Sequence, residues 1–362
     1  MPYKCGFEFE YVLVDSSQRI RDFTSLDFRE LDRALADGEG TEDDSLTRGD
    51  LSIKSGYWYL EGDERFGPDG TFLDLRVKGA EVRTPIAGTL TGAADHLLRL
   101  QNDLEARLAP LGLGLGIVGF HPTLTEYRIE PPLNDWERAM RAEHHEYGYA
   151  NVSNVSFGPD VNLSFPGLNA DGVVDLTRKL THYSPYLVPF SFSSPFFDGG
   201  PWGGPSRRTY ERTWRRVAAR CFVEREPAPS VEPVFVYRPR VPAERGRIEF
   251  KAYDAFLSRA HLLAGAALVL GVCLSDELPG RDDVPSRELH QLAAARAFDS
   301  PGIADGAAEV LEAARTALAG LPDEAELLRP FADLLDRGRT PADDLLDAYA
   351  RTGRTFHQGG LR

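Results

Sequence analysis

Four short segments place charged or polar side chains two residues apart: Glu8-x-Glu10, Glu81-x-Arg83, Asp160-x-Asn162-x-Ser164 and Glu249-x-Lys251, the last followed by Asp254. In an extended strand, residues two apart point the same way, ~6.5 to 7 Å apart along it. Each segment would then present its polar pair on one face, while Phe9, Val82, Val161, Leu163 and Phe250 supply the other. An antiparallel sheet with one solvated face produces the same alternation. Composition argues for more than that, because Asp and Glu are depleted in strands and here they stand beside bulky apolar residues. Carboxylates gathered over one site repel one another unless cations neutralise them, and ligands that are all oxygen suit Mg²⁺ or Mn²⁺. Such a site suits phosphate chemistry, in which metal ions bridge nucleotide oxygens. If Glu8 and Glu10 share one metal, losing both should cost much less than the sum of the single losses.

The elements that must carry these residues are legible in part. Residues 6 to 14 and 72 to 84 alternate in the strand manner, and Gly67-Pro68-Asp69-Gly70 is a turn signal before the second run. Further strands are expected at 113 to 120, 158 to 166, 231 to 238 and 245 to 253. Helices are expected near 26 to 35, 89 to 111, 136 to 147, 173 to 190, 207 to 221 and 255 to 275. An acidic stretch that includes Asp43 and Asp44 separates the first strand from Tyr57 and reads as a solvated excursion. From 284 onward the signals are helical, among them Thr340-Pro341-Ala342-Asp343, a capping box with proline at the first helical position. This order predicts an α+β fold with a catalytic domain over 1–275 and a helical C-terminal subdomain over 276–362 packed on it.

Composition narrows the function classes. The 362 residues include 41 Lys+Arg against 56 Asp+Glu, a formal net charge of −15, which argues against a nucleic-acid partner. Leu262 to Leu274 is too short for a bilayer and reads as a buried core helix, so no membrane partner is expected. Met1 to Asp15 carries acids where a secretory signal needs a basic stretch, and the three cysteines, Cys5, Cys221 and Cys273, have no paired or metal-ligand spacing. A cytoplasmic location is the expectation.

Several signals carry less than they suggest. Gly114-Leu115-Gly116-Ile117-Val118-Gly119 matches a dinucleotide pattern, but a helix precedes it and Phe120-His121-Pro122 follows, so a glycine-softened strand is the better reading. His144-His145 with Glu143 and Glu146 lacks the i, i+4 histidine pair of a zinc helix and reads as a polar helix face. In Tyr57 to Arg65, Trp58 reads as packing, with Glu61 or Asp63 as a further metal or amine contact in the alternative. Arg208, Arg212, Arg215 and Arg216 cluster on an expected helix, where they would meet phosphates or form a solvated or subunit-facing stripe.

Five motifs stand in sequence: Gly6-Phe7-Glu8-Phe9-Glu10, Glu81-Val82-Arg83-Thr84-Pro85, Gly119-Phe120-His121-Pro122, Ser193 to Gly199 with Ser206-Arg207-Arg208, and Arg247 to Asp254. In this order they resemble the glutamate-cysteine ligase and carboxylate-amine ligase family, from residue 6 to about 275. The resemblance implies a glutamine-synthetase-like fold, an antiparallel sheet funnel floored by metal-binding acids, with flanking helices. It also implies ATP-dependent amide formation, in which a glutamate-like γ-carboxylate takes the γ-phosphoryl of ATP and an amine displaces phosphate. Glu8, Glu10, Glu81 and Glu249 would then hold Mg²⁺ (or Mn²⁺), with Asp160 able to join them. Arg208 would meet phosphate or a substrate carboxylate, and Lys251, Arg83, His121 and Asn162 would contact substrate. Two positions depart from the family pattern: histidine is common where Asp160 and Asn162 stand, and arginine where Lys251 stands, which bears on substrate identity. The implied partners are ATP, the acid and an amine, with a homo-oligomer left open. The alternatives are a catalytically inactive amino-acid- or nucleotide-binding homologue and a guanidino-kinase-like phosphotransferase.

Overall fold

The computed structural model describes residues 2–35, 56–143, 145–215, 218–224, 235–279 and 283–362. The first half of the chain runs β1 (Lys4–Asp15), β2 (Ile20–Arg21), α1 (Phe28–Leu35), β3 (Trp58–Phe66), β4 (Phe72–Arg83), α2 (Leu90–Leu108), β5 (Leu113–Ile117), α3 (Asp135–Glu143), α4 (Ala150–Ser153), β6 (Pro159–Ser164) and α5 (Ala170–Leu187). It continues through β7 (Phe196–Phe197), β8 (Gly200–Pro201), α6 (Arg207–Glu211), β9 (Ala219–Phe222), β10 (Phe235–Tyr237), β11 (Arg247–Phe250) and α7 (Arg259–Leu274). The remainder is α8 (Arg287–Arg296), α9 (Pro301–Ala317), α10 (Pro322–Glu326), α11 (Arg329–Asp336), α12 (Pro341–Thr352) and β12 (His357–Gln358).

Strict alternation makes β1 the spine. Cys5, Phe7, Phe9, Tyr11 and Leu13 are buried in the main core, which leaves Glu8 and Glu10 on the opposite face. Around β1 the sheet order is β10-β9-β11-β6-β1-β4-β3, antiparallel at each pairing except β9 with β10. Beyond Tyr11, β1 pairs instead with β5 and β2, and β5 takes β12 on its other side. Helix α2 packs on β1, α5 on β9 and β11, and α7 on β6; α9 and α11 form a second layer behind α7. The helices thus cover the face that buries Phe7 and Phe9 and leave the acidic face to other groups. Helix α7, apolar all round, is buried from Leu262 to Cys273, as its uniform hydrophobicity requires. No helix among the described residues is long and apolar enough to cross a membrane.

The ladder between β3 and β4 contains a bulge that matters to the site. Glu61 faces Gly79 but Gly62 faces Val77, so Lys78 is the unmatched residue. A bulge re-aims side chains: Ala80 and Val82 lie on the core face, and beyond the bulge Val77 and Leu75 do too, while Lys78 turns to the acidic face. Gly79 must be glycine for the same reason, since a Cβ there would lie 2.0 Å from the Tyr11 carbonyl oxygen.

Most expected elements are present, with two differences. The helix expected over 207 to 221 is only α6 and a short 3₁₀ turn at Thr213–Arg215 before the chain enters β9. Strand pairing wins there because Cys221 enters the core opposite Ile248 while Arg220 faces Glu249 across the ladder. Strand β3 and the two-residue strands β2, β7, β8 and β12 were not expected as strands. One continuous core runs from Cys5 to Leu361. The acidic stretch with Asp43 and Asp44, residues 231–234, His144 and Arg216 lie outside the described residues.

Candidate functional site

Register brings the predicted acids together. Glu8 on β1 lies opposite Arg83 on β4 and Asp160 on β6; Glu10 lies opposite Glu81, which faces Tyr59 on β3; Glu249 on β11 lies opposite Asn162 on β6 and Arg220 on β9. Two acidic clusters result on one sheet face. Ligand oxygens of Glu8, Asp160 and Glu249 lie within 4.8 Å of one another, and so do those of Glu10, Glu61 and Glu81. Glu8 and Glu10 therefore belong to different clusters, which corrects the expectation that they share one metal.

The first cluster is crossed by cations. The Lys251 ammonium bonds Asp160 and lies 2.6 Å from Glu249 Oε1, while Arg220 reaches the same Oε1 at 2.7 Å. Arg247 lies 3.3 Å from Glu249 Oε2 and 3.6 Å from Glu8 Oε1, and the Asn162 amide donates to Glu8 Oε1 at 3.3 Å. Burial pushes the Glu249 carboxyl up, but Arg220, Lys251 and Arg247 outweigh it and hold it well below the usual range. Burial and the carboxylates of Glu249 and Glu8 push Asp160 upward, against the pull of Lys251. Burial works to discharge Lys251, and Asp160 and Glu249 overcome it and keep the ammonium protonated.

The second cluster is held differently. Lys78 Nζ donates to Glu10 Oε1 at 2.6 Å and to the Ser156 carbonyl at 3.1 Å, and it lies 5.0 Å from the centre of the Phe157 ring. The Gly158 amide donates to Glu10 Oε2 at 2.8 Å. Burial raises the Glu10 carboxyl, and Lys78 more than compensates, so it stays ionised. Three carboxylates from three strands, all oxygen donors, fit a hard divalent cation such as Mg²⁺ or Mn²⁺. In the first cluster the same donors surround an ammonium, and a metal would have to displace it.

Other expected site residues are placed elsewhere or otherwise engaged. His121 is buried: its Nδ1 accepts from the Leu124 and Thr123 amides at 3.0 and 3.3 Å, and its Nε2 lies 3.2 Å from Asp22 Oδ2. The ring pins a loop to the Asp22 turn. Arg208, 2 % exposed, donates to the carbonyls of Ala252 at 2.8 Å and Lys251 at 3.1 Å, and so braces the end of β11 from within. Lys251, expected on substrate, spends its ammonium on Asp160 and Glu249. Arg83 borders Glu8 in register, donates to the Gly56 carbonyl at 2.7 Å and lies over the Tyr59 ring. Trp58 packs in the core, Glu61 joins the second cluster, and Asp63 is taken up by Arg141 at 2.9 Å and the Tyr127 hydroxyl at 2.9 Å. The Ser193–Arg208 and Arg247–Asp254 motifs meet at Asp254, which accepts from Ser194 Oγ at 2.6 Å, Ser206 Oγ at 2.9 Å and the Ser193 amide at 3.1 Å.

Lys78, Arg220 and Arg247 carry no role in the sequence reading. Lys78 is hidden by the bulge and Arg220 by the expected helix. Arg247 alone left a signal, standing two residues before Glu249 on the same strand face.

Comparisons with known proteins bear on the family and the fold. The sequence model of glutamate-cysteine ligase family 2 matches residues 5–221. The glutamate-cysteine ligase of Natronomonas pharaonis is 24% identical over 198 residues, 51% of this chain and 53% of that one. A putative glutamate-cysteine ligase 2 of Paracoccus denitrificans is 25% identical over 204 residues, 54% of this chain and 43% of that one. The chain thus spans about half the length of the curated relatives it matches. Among solved structures, a bifunctional glutathione synthetase from Pasteurella multocida superposes with a TM-score of 0.59 at 12% identity, covering 96% of this chain and 50% of that one. A glutamate-cysteine ligase from Francisella tularensis in complex with AMP gives 0.55 at 11% identity, covering 98% and 86%. These likenesses make the fold a glutamine-synthetase-like α+β fold. Because the family pattern runs from β1 into β9, over more than half of the sequence, the chain belongs to glutamate-cysteine ligase family 2.

Proposed function

We propose that this protein is an ATP- and Mg²⁺-dependent carboxylate-amine ligase that joins a glutamate-like γ-carboxylate to an amine, an amino acid by preference, through an acyl phosphate. The observation that carries this reading is the convergence of six carboxylates from five strands on one sheet face, with ligand oxygens in two groups. A divalent ion held by Glu10, Glu61 and Glu81 would draw charge from nucleotide phosphate oxygens. The chain's own residues supply the rest. Lys78 and the Gly158 amide fix the Glu10 carboxylate from both oxygens. Asn162 is buried with its Oδ1 lacking a hydrogen-bond partner, which leaves an acceptor for a substrate N–H, and Arg83 stands at the edge of the same face for a substrate carboxylate. Arg208 acts as a positioning residue that holds the Lys251 and Ala252 carbonyls.

The test is an ADP-release screen with ATP, Mg²⁺ and glutamate against a panel of amino acids and amines, cysteine included, with products identified by mass. Equimolar ADP, inorganic phosphate and amide support the reading. ADP without inorganic phosphate, alongside a stable phosphorylated product, replaces it with a phosphotransferase. No ADP with any amine replaces it with a non-catalytic binding homologue.

A further inference from the structure

The two acidic clusters on the sheet face are not equivalent: Lys78 bonds one carboxylate of the second, whereas Lys251 bridges two carboxylates of the first. We infer that Lys251 is a tethered cation: its ammonium stands where a divalent ion would sit among Glu8, Asp160 and Glu249, which closes that cluster to metal and confines the divalent site to Glu10, Glu61 and Glu81. The second half of this statement rests on the ligase reading; the first rests on geometry alone.

Glu249 and Lys251 are two apart, so both side chains project to the same face. The ammonium spans Glu249 and Asp160, two of the three carboxylates of its cluster, and Arg247 spans Glu249 and Glu8. With Arg220 on Glu249, three cations already balance three carboxylates. A divalent ion added to this arrangement would leave a surplus of positive charge beside Glu249, which is 0 % exposed, and charge that is out of water and unbalanced is strongly disfavoured. Lys251 is also held at its root. Its amide donates to the Ala218 carbonyl at 2.8 Å, and its carbonyl accepts from Arg208 Nη2 at 3.1 Å and Arg212 Nη1 at 3.3 Å. The backbone therefore cannot carry the ammonium out of the cluster without breaking contacts on both of its sides. An ammonium makes three hydrogen bonds of fixed charge and has no open coordination position. This cluster is thus suited to fixing the sheet face rather than to bridging phosphate oxygens.

The experiment counts Mn²⁺ bound to the EDTA-stripped chain from the electron paramagnetic resonance signal of free Mn²⁺. The wild-type chain is expected to bind Mn²⁺ at one site that Glu10→Gln/Glu81→Gln abolishes, with none left behind. Lys251→Met is expected to gain one Mn²⁺ per chain, Asp160→Asn on that background to remove it again, and Lys251→Arg to gain none. The melting temperature of Lys251→Met should rise with added Mn²⁺ beyond the rise seen for wild type, because the new site stabilises only the folded chain. An unchanged Mn²⁺ count in Lys251→Met overturns the inference. If Lys251→Met does not fold, the wild-type background decides: a Mn²⁺ that survives Glu10→Gln/Glu81→Gln and disappears on Asp160→Asn overturns it, and its absence upholds it. A wild-type chain that binds no Mn²⁺ defeats the metal-dependent ligase reading, while a Mn²⁺ gained in Lys251→Met still upholds the tethered cation.

Discussion

Replacing Lys78 with methionine removes the ammonium between Glu10 and the Ser156 carbonyl while keeping a stem of similar length in place. Removing one member of a buried ion pair costs ~3 to 5 kcal/mol, because the other charge stays behind uncompensated. Glu10 retains the Gly158 amide at 2.8 Å, and its side chain is 18% exposed, so the lower end applies. We expect Lys78→Met to lose about 3 kcal/mol of unfolding free energy, and Glu10→Met about as much because it strands the ammonium. The double variant replaces the pair with two apolar side chains and takes these partners from the Gly158 amide and the Ser156 carbonyl, so it should lose about 2 to 3 kcal/mol rather than about 6. The assay is urea unfolding of the four proteins without divalent ions, followed by circular dichroism, with the coupling read from the cycle. Single losses under about 1 kcal/mol, or a double variant equal to the sum of the singles within about 0.5 kcal/mol, would show that the bulge does not deliver a working ion pair.

Three further outcomes follow from the same structure. Chelation by EDTA should abolish turnover and Mg²⁺ or Mn²⁺ restore it, since the donors are all oxygen; full activity after exhaustive chelation, or restoration by zinc alone, contradicts the site. Glu10→Gln and Glu81→Gln should each cut kcat/KM strongly and combine far below additivity because they serve one cluster, whereas Glu8→Gln and Glu10→Gln should combine close to additively; the reverse ranking would put Glu8 and Glu10 on one ion. His290, next to Ser184 Oγ at 3.0 Å, is held down to about 4 by burial, with the Ser286 carbonyl opposing. The unfolded chain takes up that proton near pH ~6.5 and the folded chain resists it, so stability should fall by about 3 kcal/mol as pH drops from ~6.5 to ~4, and a His290→Gln variant should show a flatter unfolding profile over that window.

The placement of the acids on one sheet face was readable where side-chain alternation is strict. Glu8, Glu10, Glu81, Asp160, Asn162 and Glu249 fall on the expected face because each stands between residues that the core demands. What local pattern could not reveal is which cation meets which acid. That depends on strands distant in sequence: Arg220 reaches Glu249 only because β9 lies beside β11, and Lys251 reaches Asp160 only because β11 lies beside β6. The bulge at Lys78 defeats a period-two reading from within, since one extra residue exchanges the two faces. Strand β3 was obscured by Glu61, Asp63 and Glu64, residue types that strands avoid, and Asp63 is tolerated there because Arg141 and Tyr127 compensate it. For His121 and Arg208, motif position suggested contact with substrate, and burial redirected both to bracing.

The contacts of Leu361 and Arg362 have a consequence for the timing of folding. Leu361 enters the main core, its amide donates to Gln101 Oε1 at 2.7 Å across 260 residues, and the Arg362 carbonyl receives the Arg259 amide at 2.9 Å. During synthesis the central strand and its partners can pair as soon as residue 164 has emerged, but the layer formed by α2 and α7 stays open on one side until residues 361 and 362 have emerged. Closing contacts of such long sequence separation is slow, and a nascent chain that waits for them keeps apolar surface available to other molecules. A ribosome paused before residues 361 and 362 have emerged would therefore hold a paired sheet with an unsealed helical layer, a species that chaperones should bind and that emergence of those two residues should free.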